Sequence, residues 1–188
     1  YTYDKNHNPT NITYSDDTPD VTYQYDDYNR VMQRQDAMGT YQYTYDANSQ
    51  LKTVNGPWLN DTITYEYDAL GRRNSLTPQG GQTISYLYDK LSRLTDIKIG
   101  TTAYSYSYSD ANPLVQSLSR PNNSVTGYNY DELNRLKEIS NKNSSAEIIN
   151  QYVYGYNNQD MRETETITNG NPITSFQNES ITYEYNNV

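Results

Sequence analysis

The 188-residue sequence has no cysteine and only one histidine, one tryptophan and one phenylalanine. Without cysteine it has neither disulfides nor thiolate chemistry, and its redox compartment is left open. With His7 as the single imidazole, zinc sites and Cys/His or Ser/His/Asp arrangements lack their parts. Neither a Gly-x-Ser-x-Gly elbow nor a phosphate-cradling glycine loop is present. Basic residues are few: 14 Lys and Arg against 23 Asp and Glu give a net charge of −9. Spread along the chain as they are, they argue against a nucleic-acid partner. No apolar run approaches the length of a membrane span. Leu, Ile, Val and Phe together number 30, a content that by composition alone points to disorder.

Tyrosine points the other way. There are 23, each able to bury a large ring while its hydroxyl stays hydrogen-bonded, so a folded chain with a tyrosine-rich core is expected. Their placement is periodic, which is the signature of a repeat architecture. The stretch Tyr65-Glu66-Tyr67-Asp68-Ala69-Leu70-Gly71-Arg72 has worn copies throughout. Tyr-x-Tyr followed by Asp occurs at Tyr1/Tyr3/Asp4, Tyr23/Tyr25/Asp26, Tyr43/Tyr45/Asp46, Tyr65/Tyr67/Asp68, Tyr86/Tyr88/Asp89 and Tyr128/Tyr130/Asp131. Ser109, Asn157 and Asn186 hold the same slot after Tyr106/Tyr108, Tyr154/Tyr156 and Tyr183/Tyr185. The first six periods are 20 to 22 residues, and the last two, 26 and 29, carry insertions.

Two tyrosines at i and i+2 share one face of a strand, and aromatic residues suit a pleated, half-buried surface, so Tyr-x-Tyr reads as a strand end. Aspartate bonds its own backbone two residues on. Three residues after the slot come His7, Asn29, Ser49, Gly71, Ser92, Asn112, Asn134 and Asp160, types that tolerate positive φ or bond locally, as a chain reversal requires. Arg follows in Arg30, Arg72, Arg93 and Arg135, then usually an apolar residue such as Val31, Leu51, Leu94 or Leu136. A second apolar residue three further on, in Val54, Ile97 and Ile139, falls on the same face only if a bulge intervenes. Each unit is therefore strand, turn, strand. The fold class expected is all-β, a repeat array of consecutive antiparallel β-hairpins forming a curved sheet, with one aromatic and one polar face.

The pattern Tyr-x-Tyr-Asp-x-x-Gly-Arg-Leu resembles the YD repeat of the Rhs family, found in bacterial polymorphic and insecticidal-complex toxins, wall-associated proteins and teneurins. The resemblance covers residues 1–188 as a single array of eight to nine copies. Because the sequence starts and stops inside a motif, a segment of a longer array is expected. The family implies a secreted or cell-surface protein whose hairpins wind into a shell around a C-terminal toxin or effector domain. Its partners would be the rest of the array and the enclosed domain, with self-association through strand edges. Its framework residues would be Tyr23, Tyr25, Asp26, Arg30, Tyr43, Tyr45, Asp46, Tyr65, Tyr67, Asp68, Gly71, Arg72, Tyr86, Tyr88, Asp89, Arg93, Tyr128, Tyr130, Asp131 and Arg135. Departures at Ser109, Asn157, Gln50, Pro113, Asn8 and Met161 put the regularity of those turns in question. The aspartyl self-cleavage motif of many members, Asp-Pro-x-Gly-Leu, does not occur here.

No enzyme activity, metal or cofactor is expected, since the acids are mostly turn Asp or surface Glu. Asp16, Asp17 and Asp20 lack the ordered ligand series of a calcium loop and read as a solvated turn. Trp58, beside the turn Asn55-Gly56-Pro57, is expected to close the end of a core, with a sugar-stacking platform as the alternative. Ser140 to Ser145 reads as a polar hairpin tip. Two other functional classes stay open: an extracellular adhesion module contacting glycan or protein, and a fibre-forming surface protein.

Overall fold

The computed structural model describes residues 1–110, 112–170 and 179–184. All regular structure in these residues is β, in two compact units, 1–86 and 87–188. The first holds β1 (Thr2–Tyr3), β2 (Pro9–Ile12), β3 (Val21–Tyr25), β4 (Val31–Asp36), β5 (Gly39–Tyr45), β6 (Leu51–Asn55), β7 (Ile63–Tyr67), β8 (Arg73–Pro78) and the start of β9 (Ile84–Tyr88). The second holds β10 (Leu94–Ile99), β11 (Thr102–Tyr108), β12 (Val115–Ser119), β13 (Val125–Tyr130), β14 (Leu136–Lys142), β15 (Ile148–Tyr156), β16 (Arg162–Asn169) and β17 (Glu179–Thr182). Within each unit consecutive strands pair antiparallel, as a run of hairpins must. The copy at Tyr183/Tyr185 and the turn at Asn171-Pro172 extend beyond the described residues.

The bulge that the sequence asks for is present at one recurring place, opposite the step into the second tyrosine; a separate shift makes Ile149 extra between β14 and β15. Tyr45 pairs with Leu51 but Thr44 pairs with Thr53, so Lys52 is an extra residue. The same one-residue shift makes Met32, Asn74, Gln116, Lys137 and Glu163 extra in the other hairpins. Slipping the register by one exchanges the faces beyond the bulge. Val54 therefore sits opposite Tyr43 and Leu51 opposite Tyr45, and Ile139 opposite Tyr128 and Leu136 opposite Tyr130. Tyrosine and aliphatic side chains thus share one face. The other face carries Gln24, Gln33, Gln42, Thr44, Thr53, Thr64, Ser107, Ser117 and their like, several joined hydroxyl to hydroxyl, as in Thr44–Thr53 at 2.6 Å and Ser107–Ser117 at 2.6 Å.

A second regularity lies in how far each strand pairs with its two neighbours. In β5, residues 39–42 pair with β4 and residues 42–45 with β6. In β11, residues 102–105 pair with β10 and 105–108 with β12. The Tyr-x-Tyr end of these strands consequently bonds only the strand that follows it, and the preceding strand diverges, leaving backbone groups to be satisfied by other means.

The expected tyrosine-rich core is not found. Among the described residues no apolar side chain is fully buried, and the tyrosines of the motif are half-buried except Tyr1 and Tyr3, which are exposed. The reason is that within each unit the rings lie on a sheet that supplies only strand neighbours to cover them. The buried side chains are small and polar: Ser75, Thr126 and Ser140. Thr126, 3% exposed, accepts a hydrogen bond from Arg120 Nη2 at 2.7 Å and donates to Asn141 Oδ1 at 2.6 Å; Asn141 Nδ2 in turn donates to Asn150 Oδ1 at 2.6 Å. Other expectations shift by a few residues. Ser140 to Lys142 belong to β14, and the tip is Asn143 to Glu147, because the Asn143 side-chain oxygen accepts the N–H groups of Ser145 and Glu147 and closes the turn there.

Replacing Thr126 with Val keeps the shape but leaves Arg120 and Asn141 without their buried partner, which costs about 1–3 kcal/mol. Urea unfolding is expected to show that loss for Thr126→Val and a change within about 0.5 kcal/mol for the exposed Ser107→Ala.

Candidate functional site

The recurring structure is the turn that follows each Tyr-x-Tyr. In the copy at Asp68, the Gly71 N–H donates to Asp68 O at 2.9 Å and the Asp68 N–H donates to Arg72 O at 2.9 Å, closing a three-residue reversal with Gly71 at φ 75°. The Asp68 carboxylate then takes three donors: Oδ1 accepts Leu70 N–H at 2.9 Å and Arg72 N–H at 3.0 Å, and Oδ2 accepts Arg72 Nε at 2.7 Å. Asp26, Asp89 and Asp131 make the same three contacts with the residues two and four further on. Aspartate is suited because its short carboxylate reaches backbone two residues ahead, and arginine because its fork delivers two further donors. The left-handed position is held by His7, Asn29, Ser49, Ser92, Asn134 and Asp160 in the other copies, at φ 60–64°.

The turn reaches its surroundings through arginine and tyrosine. The Tyr45 hydroxyl donates to Val31 O at 2.8 Å, a carbonyl that lies beyond the last pair of the β4–β5 ladder. Tyr25 reaches Pro9 O, Tyr67 Leu51 O, Tyr108 Leu94 O, Tyr130 Val115 O and Tyr156 Leu136 O in the same way, at 2.7–3.0 Å. The acceptor is each time a residue at the start of the strand that follows the preceding turn. Over the same ring lies the guanidinium of that preceding turn: Arg30 over Tyr45 at 4.4 Å, Arg93 over Tyr108 at 4.5 Å and Arg135 over Tyr156 at 4.5 Å. The first tyrosines of the pairs, Tyr23, Tyr43, Tyr65 and Tyr128, sit half-buried one step along the same face. Tyr23 stacks on Tyr25 at 6.5 Å, and Arg73 lies over Tyr65 at 4.7 Å. Tyr86 and Tyr88 occupy β9, half-buried.

The departures from the motif behave unequally. Asn157 keeps the turn regular, its side-chain oxygen accepting Gln159 and Met161 N–H. Asp46, with Gln50 in place of Arg, still accepts Asn48 and Gln50 N–H. The copy at Ser109 is one residue longer: Ser109 N–H donates to Leu114 O, and the left-handed residue is Asp110 at φ 39°, not Asn112 as expected. Pro113 explains the change, since a residue before proline is pushed toward extended backbone.

Trp58 corrects another expectation: it is 58% exposed and Leu59 91%, so neither closes a core. Their loop is ordered from within, with Asp61 Oδ1 accepting Gly56 N–H at 2.9 Å and Oδ2 accepting Trp58 N–H at 2.8 Å. No group of three metal-ligating side chains occurs among the described residues, and no helix there is long and apolar enough to cross a membrane.

Folding displaces the ionisation of turn aspartates and of second tyrosines. The Arg side-chain hydrogen bond holds Asp26 and Asp68 below the ordinary value of 3.8, and the Arg93 N–H does most for Asp89. At Asp131 burial pushes upward, and the backbone and side-chain bonds from Arg135 outweigh it. Burial raises Tyr25, Tyr45, Tyr108 and Tyr130 above 10.0. A carboxylate depressed by folding stabilises the fold above pH 3.8, and that stability is lost as pH falls through the depressed value. A tyrosine raised by folding stabilises it below pH 10.0, and that stability is lost as pH rises. Thermal unfolding followed against pH should thus show a plateau with the midpoint falling on both sides, below about pH 4 and above about pH 10. Gly71→Val forces a β-branched residue to positive φ and is expected to cost about 1–3 kcal/mol by urea unfolding.

Residues 45–80 match the family model of the RHS repeat. Teneurin-4 of Mus musculus is 29% identical over 157 residues, covering 71% of this chain and 5% of the teneurin; teneurin-4 of Homo sapiens aligns equally well. The chain thus spans about 5% of the length of these curated relatives. Among solved structures, a TcdB2-TccC3 crystal structure matches with a TM-score of 0.72 at 16% identity, over 88% of this chain and 10% of that one. The Tc holotoxin pore of Photorhabdus luminescens matches with a TM-score of 0.71 at 17% identity, over 87% and 9%. At such identities the likeness is one of fold. Residues 45–80 are thus an RHS repeat, and the same turn recurs before and after them, as in a run of such repeats.

Proposed function

We propose that residues 1–188 are one repeat array in the wall of a shell that encloses a C-terminal toxin or effector domain, in a secreted or cell-surface protein, and that this array is a scaffold without catalysis of its own. The observation that carries this reading is where the chemically capable groups are spent. The turn carboxylates of Asp26, Asp68, Asp89 and Asp131 each accept three protein donors, and the Tyr25, Tyr45, Tyr67, Tyr108, Tyr130 and Tyr156 hydroxyls each donate to a backbone carbonyl. A side chain so committed holds geometry: the carboxylates are fixed in their turns and the hydroxyl protons are already given to backbone. The framework residues named from sequence are, on this reading, the parts that hold the wall together. The fold shared with a Tc holotoxin pore supports a wall, while enclosure itself is the inference.

The exposed Trp58 and Leu59 favour a second reading, adhesion through this loop, as the teneurin relatives would suit. In the longer protein that carries this array, limited proteolysis separates the two. Enclosure predicts that the domain downstream resists protease in the wild type and becomes sensitive in Gly71→Val. Digestion of that domain at equal rates in both proteins rejects enclosure, and saturable glycan or cell binding lost on Trp58→Ala establishes adhesion instead.

A further inference from the structure

In five of the turns the side chain that follows the left-handed residue has a second contact that the motif does not spell out. Asn8 Nδ2 donates to Asn29 Oδ1 at 2.8 Å, Arg30 Nη1 to Ser49 Oγ at 2.9 Å and Gln50 Nε2 to Gly71 O at 2.8 Å. In the second unit Arg93 Nη1 donates to Asp110 O and to Asn112 O, both at 2.6 Å, and Arg135 Nη1 to Asp160 Oδ1 at 2.6 Å. Where Pro113 occupies the slot and has no donor, the neighbouring Asn112 reaches Asn134 Oδ1 instead, at 3.3 Å. In all six cases the left-handed residue of the next turn is an acceptor, Asn112 O being a second one for Arg93. Every bond runs the same way, from a turn to the one after it.

We infer that this slot residue is the positioning residue between successive repeats: its side chain donates to the left-handed residue of the following turn and so holds the two turns in register. The contact persists through changes of residue on both sides: Asn8 and Asn112 meet an Asn side-chain oxygen, Arg30 a Ser hydroxyl, Arg135 an Asp carboxylate, and Gln50 and Arg93 a backbone oxygen. Gln50 therefore does the arginine's work between turns although it cannot reproduce the arginine's pairing within its own. The inference rests on the repeat-array reading alone and holds whether or not the array encloses a domain.

Gln50 gives the clean test, because its backbone N–H and C=O close their own turn whatever the side chain. In the full chain, amide hydrogen exchange is compared for wild type, Gln50→Ala, Gln50→Glu and Gln50→Arg. Gln50→Ala and Gln50→Glu, which cannot donate, should raise exchange at Asp68 and Gly71 by about 2- to 10-fold, the range that losing one hydrogen bond allows, and leave the turn at Asp26 to Arg30 unchanged. Gln50→Arg should retain wild-type protection. Exchange rising equally in both turns, no rise at Asp68 and Gly71, or Gln50→Arg behaving like Gln50→Glu would overturn the inference. If Gln50→Ala lowers the stability of the whole unit, the contrast between Glu and Arg, both long and polar, still decides it. Since none of these readouts involves a downstream domain, failure here is distinct from failure of the enclosure proposal.

Discussion

The hydroxyl of the second tyrosine in six of the pairs, donating to a carbonyl of the hairpin before it, is the contact on which the rest of the structure depends. Neighbouring hairpins diverge toward their Asp turns, so that carbonyl has no ladder partner, and an unmet carbonyl is costly wherever water is excluded. A phenylalanine there would cover it and leave it unbonded. The ring also supplies the surface on which the previous turn's arginine lies, as Arg30 does on Tyr45. Tyrosine, arginine and aspartate are therefore one device: the carboxylate fixes the guanidinium, the guanidinium covers the ring, and the ring's hydroxyl ties back to the strand beside the guanidinium's own turn.

The bulge belongs to the same device. One extra residue after each turn returns the aliphatic side chains of the second strand to the tyrosine face, so that Val54 meets Tyr43 and Ile139 meets Tyr128. Without it the two strands of a hairpin would present their apolar residues to opposite sides, and neither face would be worth covering. The polar face needs no such repair, because serine and threonine pair across strands in any register that brings them opposite.

Much of this was legible in the sequence, and for identifiable reasons. Tyr-x-Tyr shows strand parity, Asp68 and Gly71 show the turn, and the interval from Leu51 to Val54 shows the bulge, because each is a constraint on a few adjacent residues. What the sequence hid was whatever spans one period. Nothing within the stretch around Arg30 reveals that it will lie on Tyr45 or bond Ser49, and Gln50 looked like a lapse because its partner, Gly71, contributes a backbone oxygen that no side-chain pattern records. The tyrosine-rich core was misjudged for the opposite reason. Composition counts rings that can be buried, whereas burial depends on having a second layer, and within each unit the strands have only one another. Trp58 was misplaced by the same assumption.

A fold whose aromatic face is half-exposed while folded has an unusual thermal character. The heat-capacity change of unfolding comes mainly from apolar surface newly opened to water, and polar surface subtracts from it. Here unfolding uncovers rings that were already partly wet, together with many hydroxyls and amides that were bonded to one another. Both push the heat-capacity change down, which flattens the curve of stability against temperature. Such a sheet would change little between cold and warm surroundings, holding through polar contacts whose strength varies slowly with temperature where a conventional globule depends on a hydrophobic term that fades on cooling.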